Sequence, residues 1–243
     1  MKISIKKKVS IKSVEDWGYN APPKDADVQW KDGRSAKELA RFVTSDRFAP
    51  FMSGVLKDWK IKEQDLIAEP EAETYFPAKE LGKNGPRNHD LLLIGKDCVI
   101  GIEAKVSESF DQTIKVVWDK SDKGENRKKR ILGLINFLSG EEYSNVDDLP
   151  ADIQDLRYQL FTATVGTVVE AIKNKKKKAV VLVLVFEGDV QKETDYDKHI
   201  ENNNNDYNDF VSKFFNQGWR MIQGIECRID KRVIRVANSY PNV

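Results

Sequence analysis

The sequence contains few of the residues that build disulfide frameworks or zinc centres. Its 243 residues include two cysteines, Cys98 and Cys227, and two histidines, His89 and His199. Because Cys98 sits within an apolar run, we do not expect a disulfide scaffold. A zinc site uses three or four Cys or His ligands, so this composition does not favour one either.

The sequence also lacks an excess of charge. The 40 Lys and Arg residues nearly cancel the 39 Asp and Glu residues, and the formal net charge is +1. We therefore expect no overall electrostatic attraction to nucleic acid. Binding to nucleic acid would need a local basic patch.

Long apolar runs and phosphate-binding loops are missing as well. The longest apolar run, residues 179–186, has the length of a strand, and no apolar segment follows the basic N-terminal stretch MKISIKKKVSI. We therefore expect a protein of the reducing cytoplasm, with no signal peptide and no membrane partner. A glycine-rich phosphate loop, a nucleophile elbow and a dinucleotide-binding fingerprint are all absent, so the functions that depend on them have no support.

The patterns that are present predict a single α/β (α+β) domain, with a mixed central sheet flanked by helices. We expect an edge strand and arm in residues 1–33, a core in residues 34–187, and a helix with a two-strand extension of the same domain in residues 188–243. Within the core, the non-alternating run from 179 to 186 is typical of a central strand covered on both faces. Pro70 favours an edge strand around it, and the Asn202–Asn205 tract favours a loop.

Residues 88–106, NHDLLLIGKDCVIGIEAKV, combine two strand-length apolar runs with charged ends. Alternate residues of a strand share a face, so Glu103 and Lys105 project from one side of the second strand. A hairpin that turns at Lys96–Asp97 places Asp90 opposite Glu103, with Cβ atoms about 5 Å apart. The opposite face of the second strand carries only apolar residues: Ile100, Ile102, Ala104 and Val106.

Two carboxylates at that distance repel each other, and a divalent cation between them would relieve the repulsion. Gly101 would leave open space beside the cation. Lys105 could position an attacking water or neutralise developing charge. The alternative is structural: Glu103 and Lys105 could form a cross-strand ion pair on a solvated face.

Asp90, twelve intervening residues and then Glu103-Ala104-Lys105 resemble the PD-(D/E)xK nuclease superfamily. A helix before the hairpin, and a long helix and a buried strand after it, resemble the restriction-endonuclease-like core of that superfamily. The residue before the aspartate is His89, where the family pattern has proline. The resemblance implies that Asp90, Glu103 and the Ala104 carbonyl bind Mg²⁺ or Mn²⁺, and that Lys105 is the catalytic lysine.

Further residues are candidates for the same site. Some branches of the superfamily carry another metal-binding carboxylate on the first helix, where Glu38 lies, although Glu38 also has the spacing of a capping box with Ser35. Glu73 is a rival third carboxylate, or an exposed edge residue. His89 could contact substrate or metal.

The long helix that follows the hairpin contributes two more candidates. Several nuclease branches use a glutamine on this helix, and Gln159 is a candidate for that catalytic role; a hydrogen-bonded core amide is the alternative. Arg157 could contact a phosphate. Gln159 shares a helical stripe with Thr162, Ala163, Gly166 and Glu170, whose small members would allow close approach to the sheet.

Two basic runs, Lys175–Lys178 and Lys128–Arg130, could contact phosphates, although such runs are typical of solvated turns.

Together the hairpin residues and the resemblance predict a Mg²⁺-dependent phosphodiesterase, a DNA endonuclease of a microbial defence, repair or mobile-element system. A homodimer would suit cleavage of two strands. The alternative is a nuclease-fold module with weak or no catalysis that binds nucleic acid or a protein partner.

Overall fold

The computed structural model describes residues 1–82, 85–121, 124–188, 196–216 and 218–236. Its strands are β1 (Ile3–Lys7), β2 (Val9–Ser10), β3 (Leu66–Thr74), β4 (Arg87–Ile94), β5 (Cys98–Lys105), β6 (Lys178–Gly188), β7 (Arg220–Ile222) and β8 (Ile225–Val236). The helices of the N-terminal half are α1 (Val14–Asn20), α2 (Ala26–Gln29), α3 (Ser35–Thr44), α4 (Phe48–Asp58) and α5 (Ala78–Leu81). They are followed by α6 (Ile114–Asp119), α7 (Glu125–Ser139), α8 (Ala151–Gln154), α9 (Tyr158–Lys173) and α10 (Tyr196–Phe214).

The strands of the described residues form one mixed sheet in the order β2-β1-β3-β4-β5-β6-β8-β7. Strands β3, β4 and β5 are an antiparallel meander, whereas β5, β6 and β8 run parallel. Parallel neighbours need crossover connections, which α6 to α9 supply between β5 and β6 and α10 supplies between β6 and β8.

Helices cover both faces of this sheet, and β6 shows why. Its alternate residues Val181, Val183 and Val185 join the core beneath α7, α9 and α10. The intervening residues, Val180, Leu182, Leu184 and Phe186, join the core beneath α1, α3 and α4. A strand buried on both faces has no polar face to alternate with, as the sequence pattern predicted. The prediction of a mixed sheet flanked by helices is therefore confirmed.

The predicted hairpin register is confirmed along β4 and β5. The observed pairs are Leu91 with Ile102, Leu92 with Gly101, Leu93 with Ile100 and Ile94 with Val99. The ladder ends there, one step before the predicted pair of Asp90 and Glu103. The regular pairing of the two strands therefore ends at the two carboxylates.

Three local predictions are wrong. The capping box of Ser35 and Glu38 does not form, because the N-cap of α3 is Arg34 and not Ser35. The Asn202–Asn205 tract is helical, within α10, and the buried Asn203 donates from Nδ2 to the Glu108 carbonyl at 2.8 Å. Tertiary packing thus overrides the loop preference of asparagine.

The third concerns Pro70, which predicted an edge strand, whereas β3 lies between β1 and β4. Pairing with β1 ends at Ala68, so Pro70 lies beyond the last pair on that side and interrupts no hydrogen bond there.

The N-terminal edge strand predicted for residues 1–33 corresponds to β1 and β2 at one edge of the sheet. Residues 189–195, 217 and 237–243 of the predicted C-terminal extension lie outside the described residues. The division of the chain into arm, core and extension stays a prediction. None of the described helices is both long enough and apolar enough to cross a membrane.

Candidate functional site

A cleft of about 870 Å³ opens where β4 begins and β5 ends. Of the residues proposed from sequence, it is lined by Asp90, Glu103, Ala104, Lys105 and Gln159. Strands β3, β4 and β5 line one part of it, which we call the floor, and segments around residues 20–24 and 34–36 line another part, which we call the wall. The structure thus gathers the central residues of the sequence motif around one cavity.

Asp90 is anchored to the neighbouring strand by its side chain. Its Oδ2 accepts a hydrogen bond from the backbone N–H of Ala104 at 2.7 Å. This bond bridges the strands just past the end of the regular ladder. The carboxylate is therefore fixed against β5, beside the residues that follow Glu103.

Glu103 is only 2% exposed and is held by three side chains. Its Oε1 accepts from Lys105 Nζ at 3.3 Å and from Gln159 Nε2, and its Oε2 accepts from Arg87 Nη2 at 2.5 Å. Burial raises the pKa of Glu103, but the positive charges of Lys105 and Arg87 outweigh burial and hold it below its ordinary value. Glu103 is therefore a stable carboxylate at neutral pH.

Lys105 lies on the cleft floor and is 6% exposed. Besides contacting Glu103, its Nζ donates to Gln159 Oε1 at 2.9 Å. Gln159 lies in the first turn of α9, so the helix that packs on the sheet also orients the lysine. The predicted proximity of Gln159 to the hairpin is therefore seen in the structure.

Sequence reasoning missed Arg87, the first residue of β4. Its guanidinium pairs with Glu103, and its Nη1 lies 3.4 Å from Thr162 Oγ1 on α9. The side chain is 8% exposed, so this is a nearly buried ion pair. A single arginine after a polar turn carries no pattern that reveals such a contact.

Sequence reasoning also missed Glu71, which lines the cleft from β3. The flanking pairs, Pro70 with Leu91 and Ala72 with His89, set Glu71 alongside Asp90 on the next strand. Its backbone is left-handed, with φ of 47°. Burial, followed by the charge of Asp90, raises the pKa of Glu71 to about 8. The predicted register covered only β4 and β5, so it gave no information about Glu71 on β3.

The three carboxylates of the adjacent strands are crowded. Burial and then the charge of Glu103 raise the pKa of Asp90 to about 7. The described lining of the cleft holds five carboxylates and four basic groups: Glu71, Glu73, Asp90, Glu103 and Glu108 against Lys7, Lys24, Arg34 and Lys105. With Arg87, five basic groups oppose these five carboxylates, so it is burial and crowding that disfavour the charged forms of Glu71 and Asp90.

The donor chemistry of the cleft fits a hard divalent cation, because carboxylate and carbonyl oxygens are the ligands that Mg²⁺ and Mn²⁺ prefer. Two observations limit that fit. Both oxygens of Glu103 are engaged by side chains. In the described part of the chain, no group of three or more His, Cys, Asp or Glu residues is arranged to hold a metal ion. A cation would need Arg87 to release Glu103 Oε2.

The predicted open space at Gly101 is not present. A Cβ added there would lie 2.2 Å from Thr167 Oγ1 and 3.0 Å from His89 Nδ1. Gly101 therefore allows α9 and the His89 ring to pack tightly against β5.

His89 also differs from its predicted role. It is 1% exposed, and its Nε2 lies 3.0 Å from Thr74 Oγ1. Burial lowers its pKa well below the ordinary value. The structure thus places His89 in the packing beneath the cleft and out of reach of a substrate.

Glu38 and Arg157 do not line the cleft. Glu38 Oε1 accepts from the Gly33 N–H at 3.1 Å and from Arg41 Nη1 at 2.7 Å. Arg157 immediately precedes α9, and its Nε lies 2.9 Å from Asp206 Oδ2. Both side chains therefore hold neighbouring elements together in this structure.

Glu73 and Glu108 complete the carboxylates of the cleft. Glu73 is exposed, as one of its two predicted roles required, and its Oε2 accepts from Tyr75 Oη at 3.1 Å. Glu108 accepts from the Ser35 N–H at 3.2 Å and from the Val106 N–H at 2.8 Å. Glu108 thereby ties the start of α3 to the end of β5 and fixes the wall of the cleft, a contact that sequence spacing did not indicate.

The fold and the cleft define a mixed α/β protein with a carboxylate–lysine centre at the ends of two central strands. The chain belongs to the family described as a domain of unknown function (DUF6946), whose model matches residues 10–231. A search of curated proteins and a search of solved structures found no match.

Proposed function

We propose that the chain is a Mg²⁺- or Mn²⁺-dependent DNA endonuclease with a restriction-endonuclease-like core. The observation that carries the proposal is the convergence of Asp90, Glu103, Lys105 and Gln159 in one cleft, at the ends of β4 and β5. Residues of β4, β5 and α9 meet there, and this convergence supports the proposal. A microbial defence, repair or mobile-element system would be the setting of such an activity.

The charge of the cleft supports a cation. Asp90 and Glu71 have raised pKa values because burial and neighbouring carboxylates disfavour their charged forms. A bound divalent cation would favour the charged forms of both carboxylates and would add positive charge that attracts a phosphodiester. The carboxylates thus suit a site that takes a cation first and a phosphodiester second.

Asp90, Glu103 and the carbonyl of Ala104 would hold the cation. When bound, Mg²⁺ supplies positive charge that stabilises the negative charge developing on the phosphate. The hydrogen bond from the Ala104 N–H occupies Oδ2 of Asp90, so Oδ1 would be the oxygen that takes the cation. Asp90 would therefore need little rearrangement to bind, whereas Glu103 would first lose its contact with Arg87.

Lys105 would orient the attacking water and donate a hydrogen bond to the phosphate. Its Nζ is restrained by Gln159 and Glu103, which leaves one of its three donors for a ligand. Gln159 would act as a positioning residue, because its amide joins the lysine to the carboxylate. Lys7, Lys24 and Arg34 on the lining could contact flanking phosphates.

One observation favours a second candidate, a DNA-binding module without catalysis. Arg87 already neutralises Glu103 through Oε2, in the place where a cation would bind. If that ion pair persists, the cleft keeps its shape but has no cation. Binding of nucleic acid would then depend on basic residues alone.

Cleavage of supercoiled plasmid in Mg²⁺ and in Mn²⁺ tests the first candidate. We expect nicked or linear product from the wild-type chain and at least a hundredfold loss in Asp90→Asn, Glu103→Gln and Lys105→Met. Glu142→Gln, an exposed carboxylate outside the cleft, is the control and should cleave normally. Plasmid binding without cleavage by the wild-type chain would select the binding module instead.

A further inference from the structure

A second pocket, of about 300 Å³, lies at the opposite end of the central strands and is strongly basic. We call it the lysine pocket. Seven lysines and one carboxylate line it, together with one apolar residue: Lys60, Lys62, Lys96, Lys175, Lys176, Lys177, Lys178, Asp97 and Ile61. This concentration contrasts with a net charge of +1 for the whole chain.

Three layers of the fold contribute to the lysine pocket. Residues 60–62 follow α4 on one side of the sheet, and residues 175–177 follow α9 on the other. Lys96 lies in the turn between β4 and β5, at the sheet itself. The basic surface therefore crosses the end of the sheet from one helical layer to the other. Strand β5 rises about 23 Å from this end to Lys105, so the pocket is separate from the cleft.

Most of these lysines lack a carboxylate partner. Lys178 pairs with Glu226 and lies 4.4 Å from the centre of the Trp219 ring, and Lys176 donates to the Lys96 carbonyl at 3.2 Å. Within the described ranges, six of the seven form no ion pair: Lys60, Lys62, Lys96, Lys175, Lys176 and Lys177.

Local groups neutralise only part of this charge. The C-termini of α4 and α9 both end at the pocket, and each contributes roughly half a negative charge. With Asp97 and Glu226 included, roughly four positive charges remain uncompensated. Lysines gathered around one pocket repel one another, and an anion would relieve that repulsion.

We propose that the lysine pocket binds the phosphate backbone of double-stranded DNA, as a contact separate from the cleft. That the polyanion is DNA rests on the proposed function. That this surface binds an anion does not depend on the proposed function. Among the described residues, the lining contains lysines and no arginine, which suits point-charge contact with phosphates and not bidentate contact with base edges. The interaction is therefore independent of sequence.

The shape and composition favour a nucleic-acid backbone over other anionic surfaces. The lysines are spread across three layers, as successive phosphates along a duplex require. A membrane surface would also use an exposed apolar side chain to insert, and the apolar residue here, Ile61, is 5% exposed. The sequence run Lys175–Lys178 is thereby joined to lysines from two other segments.

Fluorescence anisotropy of a labelled DNA duplex of about two helical turns tests this inference. The full chain carrying Asp90→Asn is the parent, and EDTA is present, so neither cleavage nor a cation in the cleft contributes. One variant changes Lys60, Lys62, Lys175 and Lys177 to Gln. A matched variant makes the same change at four exposed lysines outside the pocket: Lys12, Lys79, Lys120 and Lys198.

We expect the pocket variant to bind at least tenfold more weakly than its parent. The slope of log affinity against log salt concentration should become shallower by about three to four, since each lost phosphate contact contributes about 0.9. The matched variant should keep most of the affinity and slope. Thermal melts of both variants confirm that they fold.

Three results would overturn the inference: no duplex binding by the parent, equal binding by parent and pocket variant, or equal weakening in the matched variant. Stronger binding of the parent to anionic phospholipid vesicles than to the duplex would also overturn it. The plasmid assay of the chain with Asp90 intact separates the two proposals. If the pocket variant loses duplex binding while the chain with Asp90 intact cleaves no plasmid, the inference holds and the nuclease proposal fails. If the chain with Asp90 intact cleaves plasmid while the pocket variant binds the duplex as its parent does, the nuclease proposal holds and the inference fails.

Discussion

At the scale of single residues, Glu103 is the centre of the cleft. A carboxylate that is 2% exposed needs hydrogen-bond donors and positive charge to offset its burial, and Arg87, Lys105 and Gln159 supply them. A divalent cation and Arg87 would compete for the same oxygen, Oε2. Whether Arg87 stays paired with Glu103 therefore decides whether the cleft can hold a metal ion.

Removal of Arg87 should expose this competition. In Arg87→Met, Glu103 loses a nearly buried partner, and we expect a loss of on the order of 3 kcal/mol in the free energy of unfolding. Because Oε2 is freed, Mg²⁺ should bind more tightly and restore part of that loss. Urea denaturation with and without Mg²⁺ measures both effects.

Arg157→Met is the matched control for Arg87→Met. Its ion pair with Asp206 is more exposed, so we expect a loss of less than about 1 kcal/mol and no recovery in Mg²⁺. An Arg87→Met chain that is as stable as the wild type, or indifferent to Mg²⁺, would contradict the competition.

Glu71 should make stability depend on pH. Burial and Asp90 raise its pKa to about 8 from an ordinary value of 4.5, so the folded state holds a proton that the unfolded state has released between these values. Stability therefore falls as pH rises through that window. In EDTA, Glu71→Gln should match the wild type near pH 4.5 and exceed it by on the order of 2 kcal/mol at pH 9.

Urea denaturation across this pH range gives the comparison. Glu73→Gln, exposed on the same strand, reports the effect of losing a carboxylate without burial. A Glu71→Gln curve that runs parallel to the wild-type curve would show that Glu71 ionises freely in the folded protein.

At the scale of elements, the sequence predicted the hairpin better than its surroundings. The two-residue period of the apolar runs and the turn at Lys96–Asp97 determined the register of β4 and β5, and hence the convergence of Asp90 with Glu103 and Lys105. The stripe of Gln159 on α9 was equally readable, because small residues repeat along it. Local periodicity carries this information within one element.

Contacts between elements distant in sequence left no such pattern. Contacts made by β3, β4 and α3 bring Arg87, Glu71 and Glu108 to the cleft. No local sequence pattern predicts these contacts. Gly101 was interpreted as open space because its packing partner, Thr167, lies on a different element. The Asn202–Asn205 tract became helical for the same reason, since its partner is the Glu108 carbonyl.

The close packing of α9 on β5 gives a prediction at this scale. In Gly101→Ala, the new methyl group would collide with Thr167 Oγ1, so we expect a loss of about 2 kcal/mol as the helix moves away. In Gly54→Ala, no atom lies within 4 Å of the new Cβ, and the α4 helix should gain about 0.5–1 kcal/mol. Urea denaturation of both variants measures the contrast, and a neutral Gly101→Ala would show that the interface yields without cost.

At the scale of the whole molecule, the near-zero net charge conceals an uneven distribution of charge. The carboxylate-rich cleft lies at one end of the central strands, and the lysine pocket lies at the other. Composition excluded a uniformly basic protein but could not reveal the lysine pocket, which is assembled from three segments. The sequence likewise predicted helices on both faces of a mixed sheet, whereas the neighbours of β1 and β8 depend on long-range pairing.

Calorimetric titration of Mn²⁺ and of Mg²⁺ into the folded chain tests the central claim most directly. We expect saturable binding by the wild type, unchanged binding by Glu142→Gln, and at least tenfold weaker binding by Asp90→Asn, whose amide oxygen can still accept the hydrogen bond from Ala104. A folded wild-type chain that binds neither cation, or an Asp90→Asn chain that binds them as the wild type does, would contradict a metal-dependent centre in this cleft.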